Sequence, residues 1–84
     1  MTVYVLTINY SEWEDPESNG CKVYLFDSKE KALERMEEEI KREIEEGKEY
    51  DRNLYENQRF EGYVSLASQH SEYVEFEVVP QEVL

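Results

Sequence analysis

The sequence predicts an α+β domain of element order ββαββ, a four-stranded, mostly antiparallel sheet with one long amphipathic helix on one face. Three observations predict it. Apolar residues alternate with a period of two in VYVLTINY and CKVYLF, and again in Phe60–Ala67 and Glu72–Val79. Between the two pairs the apolar spacing lengthens to three and four. Turn formers separate the members of each pair.

The first strand spans Val3–Tyr10, with Tyr4, Leu6, Ile8 and Tyr10 on one face and Val3, Val5, Thr7 and Asn9 on the other. Cys21–Phe26 repeats the pattern, setting Cys21, Val23 and Leu25 against Lys22, Tyr24 and Phe26. The ten residues between, SEWEDPESNG, include Pro16, Asn19 and Gly20 and make an unusually long hairpin loop. A helix then starts at DSKE, with Asp27 as the N-cap and Glu30 reaching back in a capping box. Leu33, Met36, Ile40 and Ile44 form one narrow stripe along Lys29–Glu46, which lies against the sheet, and Gly47 supplies the stop. KEYDRNLYENQR is polar and lacks a period, so it reads as a crossing loop. In the second hairpin Val64 and Leu66 share a face with Val74, Phe76 and Val78, while Glu75 and Glu77 face water. SQHS is the turn, and Pro80 ends the last strand.

Residues 1–84 make a single domain near the lower size limit for folding on one core. Aromatic residues, 13% of the chain, supply the large side chains that such a core needs. Against them stand 21 acids and 9 lysines and arginines, a net charge of −12. That surface repels nucleic acid and anionic membranes and favours basic partners. No apolar run approaches the roughly 20 residues of a membrane span. The N-terminus lacks the basic and then apolar segments of a signal peptide, so the expected location is the cytoplasm. Cys21 is alone and reads as a half-buried strand residue rather than a reactive thiol.

Catalytic equipment is sparse. The single histidine, His70, sits in the SQHS turn without a nucleophile or an orienting group beside it in sequence. Cys21 and His70 form at best one pair of zinc ligands. The three glycines are isolated, so no phosphate-cradling loop exists. EDPESNG lacks the alternating acids of a calcium loop. No catalysis, cofactor or metal is expected.

The arrangement of negative charge is more informative. On a helical wheel Glu34, Glu38 and Glu45 fall on one flank of the apolar stripe and Glu39, Glu43 and Glu46 on the other, with Lys31, Arg35 and Arg42 between them. Glu37 with Lys41 and Glu38 with Arg42 have favourable i,i+4 spacing. The pairs Glu30–Glu34, Glu34–Glu38 and Glu39–Glu43 repel. The hairpin loop adds Glu12, Glu14, Asp15 and Glu17, with no lysine or arginine, around the single tryptophan, Trp13. Trp13 either folds back as a lid on the core or stands as an exposed anchor ringed by acids. In the second case Glu12, Trp13, Glu14, Asp15, Glu17, Glu34, Glu38 and Glu45 form a contact surface for a basic protein groove, placing carboxylates where phosphates would lie.

VYVLTINY followed by KVYLFDSKEKALERMEEEIKREIEEG, with the acidic runs EWEDPE and EEEIKREIEEGKEYD, resembles small acidic single-domain proteins of bacteriophages and mobile elements. Among these are anti-CRISPR and anti-restriction inhibitors, several of which act as DNA mimics. The likeness spans the chain, lies in composition and element order, and carries over no site residue. It implies a host nucleic-acid-handling protein as target, with CRISPR effector nucleases foremost, and no direct binding of nucleic acid. Two other readings stay open. One is an interaction module or homodimer that pairs through a sheet edge, FEGYVSLA or EYVEFEVV. The other is a ligand-binding or catalytic domain that uses tyrosines and glutamates on the concave sheet.

Overall fold

The computed structural model describes residues 1–12, 20–49, 53–68 and 72–83. In chain order the elements are β1 (Thr2–Glu12), β2 (Gly20–Phe26), α1 (Lys29–Glu49), β3 (Tyr55–Phe60), β4 (Tyr63–Ala67) and β5 (Glu72–Glu82). The class is α+β, as the change of period predicts. The sheet has five strands rather than four, every pair antiparallel, in the order β2-β1-β5-β4-β3.

The extra strand, β3, lies within the segment expected to be a crossing loop. All six of its residues are exposed, and its register on β4 shifts between Glu56 and Gln58. An edge strand with a bulge and no buried side shows no clean period of two. Phe60 consequently belongs to β3 and not to β4. Glu61 and Gly62 make the turn between them, with Gly62 at φ +74, a conformation that glycine adopts without steric cost.

Strand β5 continues through Pro80 to Glu82 instead of ending there. Val78 gives its amide to the Gly62 carbonyl on the β4 side at 2.8 Å, so by alternation residue 80 also turns that way. Strand β4 pairs no further along β5 than Glu77. The N–H that Pro80 lacks is therefore not needed.

Helix α1 begins at Lys29 as predicted, but its cap is a different residue. The Ser28 hydroxyl, not Asp27, accepts the Lys31 amide at 3.2 Å, and Asp27 pairs with the Lys31 ammonium at 2.9 Å. The helix also runs past Gly47, which stays helical and is buried. Met36 and Ile40 are buried as expected, and Leu33 and Ile44 flank them half-buried. They close over Leu6, Ile8, Val64, Leu66, Val74 and Phe76 from the inner sheet face, where five of these six are fully buried. One helix covers one face. The other face of the sheet has no layer upon it among the described residues.

Candidate protein-binding surfaces

Charge on α1 is sorted by the sheet beneath it. Glu39 lies close enough to the apolar stripe to be only 1% exposed, and it accepts Arg35 Nε at 2.8 Å and Arg42 at 3.1 Å. The Arg35 guanidinium in turn lies over the Tyr24 ring, 4.6 Å from its centre. Hydrogen bonding to Glu39 raises the Arg35 pKa. Glu43 accepts the Tyr10 hydroxyl at 2.8 Å, and burial together with this bond holds the phenol well above its ordinary pKa. The expected outer flank of Glu39, Glu43 and Glu46 thus has two members turned to the sheet. Their supposed repulsion is met by Arg35, Arg42 and Tyr10. The signal in the sequence was the pair of arginines at i−4 and i+3 around one glutamate beside the stripe.

The expected pairs Glu37–Lys41 and Glu38–Arg42 are replaced by others. Arg59 of β3 reaches Glu37 at 2.6 Å and also pairs with Glu56, and Arg42 goes to Glu39. Two acidic partners raise the Arg59 pKa further. Lys29 pairs with Glu61 of the β3–β4 turn at 2.7 Å, which raises the lysine pKa and lowers that of the carboxyl.

Glu34, Glu38 and Glu45 are exposed and have no cationic partner among the described residues. With Glu30 they fall within about 80° of helix surface, because steps of four residues drift only ~40° each. Lys41 and Lys48 stand in the same row, two lysines against four acids. Three of the predicted contact residues are therefore brought together on one ridge. Glu12 ends β1, where it pairs with Glu72 of β5. Trp13, Glu14, Asp15 and Glu17 lie outside the described residues, as do His70 and most of the SQHS turn.

The uncovered sheet face is the second candidate, and sequence reading missed it. Val5 stands between Leu25 of β2 and Val79 of β5 in direct register, with Val23 opposite Thr7. Val23, Leu25 and Val79 are 58%, 67% and 41% exposed. Toward the other edge the face turns polar, with Tyr63 donating to Glu75 at 3.0 Å and Asn57 to the Tyr73 hydroxyl at 2.6 Å. Cys21, expected half-buried, is exposed on this face. The strands proposed as pairing edges, β4 and β5, are both interior, and the edges are β2 and β3.

A shallow groove of about 440 Å³ runs between α1 and the β3–β4 turn. Leu33, Met36 and Phe60 line it, and its charged groups, Glu37, Arg59 and Glu61, are each already in an ion pair. Among the described residues no group of three or more His, Cys, Asp or Glu could hold a metal ion, and no helix is long and apolar enough to cross a membrane.

Compared with models of known families, with characterised proteins and with solved structures, the chain matches none. The functional reading rests on its own surfaces.

Proposed function

We propose that the chain is a non-enzymatic inhibitor that binds the basic nucleic-acid groove of another protein through the acidic ridge of α1. One observation carries this reading. Among the described residues Lys29, Lys31, Arg35, Arg42 and Arg59 are drawn into internal pairs, while Glu34, Glu38 and Glu45 stay exposed without one and the only cations in their row are Lys41 and Lys48. A folded chain gains nothing from such a row, since like charges one helical turn apart oppose the helix. A partner rich in lysine and arginine gains an anionic edge whose charges stand about 6 Å apart from Glu34 to Glu38 and about 10 Å apart from Glu38 to Glu45. Glu12, Glu14, Asp15 and Glu17, with Trp13, join the contact on charge and composition.

Bound in this way the chain competes with phosphates for the same cations, and inhibition is stoichiometric and reversible. The phage-encoded inhibitors that the sequence resembles include proteins of this kind. A guide-loaded CRISPR effector nuclease of the bacterial cytoplasm is accordingly the first partner to examine. The test is displacement of a labelled DNA duplex from a panel of such effectors, followed by fluorescence anisotropy between about 50 and about 200 mM salt. The parent chain should displace the duplex, less strongly as salt rises. The triple variant Glu34→Gln, Glu38→Gln, Glu45→Gln should displace it far less. Equal displacement by parent and variant, or none by the parent on any effector, would reject the proposal.

A further inference from the structure

We propose that β2 is a self-pairing edge, joining two copies of the chain into one continuous antiparallel sheet about a two-fold axis at Val23. The inference does not depend on the acidic ridge.

The two edges of the sheet are treated differently. Strand β3 carries a bulge and the charged residues Glu56 and Arg59, devices that blunt an edge against pairing. Strand β2, GCKVYLF, has no bulge in its ladder and no acid, in a chain of net charge −12, and Lys22, on the helix side, is its one charged residue. The phase of the ladders shows what it leaves open. Val78 turns its amide to β4 and Val83 turns its own to Met1 of the first strand. Odd residues of β5 therefore face β1, so odd residues of β1 face β5 and even ones face β2. Tyr24, opposite Leu6, faces β1, and the main-chain groups of Cys21, Val23 and Leu25 point outward with no strand among the described residues to meet them.

A second copy is the occupant that fits. In an antiparallel pair related by a two-fold axis some residue must face itself, because opposed residues share a side of the sheet. Full overlap of Gly20–Phe26 puts Val23 at that position. The outward residues Cys21, Val23 and Leu25 then meet Leu25, Val23 and Cys21 of the other copy, each pair able to exchange main-chain hydrogen bonds. On the open face the exposed Val23 and Leu25 become neighbours of their counterparts and extend the row that Val5 and Val79 begin. On the helix side Lys22 meets the Tyr24 ring of the other copy, a cation beside an aromatic face. No acid enters the junction from either β2. The helix flanks that approach one another carry Arg35 and Arg42 neutralised on Glu39, Glu43 bonded to Tyr10, and the exposed Glu46, whereas Glu34 and Glu38 lie on the opposite flank.

Sedimentation between about 1 and about 100 μM tests this, since association follows mass action. A dimer is expected in that range. Val23→Lys sets like charges face to face at the axis and should weaken it at least about tenfold, with the circular dichroism of the parent retained. In a Cys21→Ser background, Val23→Cys should cross-link with a short bis-maleimide, while Gln58→Cys on β3 should not. A monomer throughout, a dimer indifferent to Val23→Lys, or cross-linking as efficient at Gln58 as at Val23 would overturn the proposal. The triple glutamine variant of the ridge should dimerise like the parent, so the two proposals fail separately.

Discussion

Arg35 donates its Nε to the Glu39 carboxylate at 2.8 Å across one helical turn, and the acid it holds is almost wholly withdrawn from water. A buried carboxylate left with fewer donors is costly, whereas removing the acid frees two arginines whose side chains are 35% and 57% exposed and can turn to water. Arg35→Ala should therefore lower the urea midpoint, leaving Glu39 on Arg42 alone. Glu39→Met should cost less than about 1 kcal/mol. Arg35→Ala should do little further harm once Glu39 is methionine, and a double-mutant cycle reads that coupling directly.

Ile40 is 4% exposed and lies in the cluster formed by Leu6, Phe76 and Met36. Ile40→Asp introduces an unpaired charge there, with an expected loss above about 4 kcal/mol, enough to abolish a cooperative melt in a marginal domain. A thermal scan checks it. A melt like the parent's would mean that α1 does not rest on this face.

Gly62 combines φ +74 with a main-chain oxygen of Val78 only 3.2 Å from where a Cβ would stand. Gly62→Val should destabilise by about 1–3 kcal/mol through backbone strain alone. Gly20 has open space around it, so Gly20→Ala should leave stability unchanged or slightly improved. The two substitutions form a matched pair in denaturant unfolding.

The Tyr10 phenol predicts an alkaline limb to stability. Below about pH 10 it is protonated in folded and unfolded chains alike, and its contribution is fully present. Above that pH the unfolded chain ionises while burial and Glu43 keep the folded one protonated, so stability is lost progressively as pH rises. Tyr10→Phe removes this loss at the expense of one hydrogen bond, worth about 1 kcal/mol at neutral pH. Denaturation of both proteins at about pH 8 and pH 11 should show the flatter slope in the variant.

Neutralising the ridge should not weaken the fold. Glu34→Gln, Glu38→Gln and Glu45→Gln remove repulsion and break no ion pair among the described residues. The triple variant should melt at or above the parent temperature, most visibly at low salt.

The parts legible in the sequence were those whose residues have one wet side and one dry side. Strands β1 and β2 and helix α1 announce themselves because Leu6, Ile8, Met36 and Ile40 recur at the period of their element. Strand β3 does not, since an edge strand exposed along its whole length has no dry side to mark a period. The end of β5 was hidden by Pro80, whose meaning depends on β4 stopping short beside it. The ridge of Glu34, Glu38 and Glu45 followed from helix geometry alone. Glu39 was misplaced because its burial depends on Arg35 and Arg42 folding over it, and side-chain reach of that kind leaves no periodic trace. The apolar row of Val5, Val23, Leu25 and Val79 was visible as strand residues, but which sheet face the helix would leave uncovered was not.

Strand β1 lies one place in from the edge, between β2 and the central β5, and its pairing with β5 brings Thr2 opposite Glu82. A ribosome delivers Thr2 long before Glu82. While α1 is being made, four of the six residues of the floor it needs, Val64, Leu66, Val74 and Phe76, have not yet been synthesised. Leu6 and Ile8 wait with only β2 beside them, and contacts this distant in sequence form late and slowly. The domain therefore commits to its structure as a unit, only once Glu72–Glu82 has emerged. Through that delay its surplus of negative charge holds neighbouring unfinished chains apart.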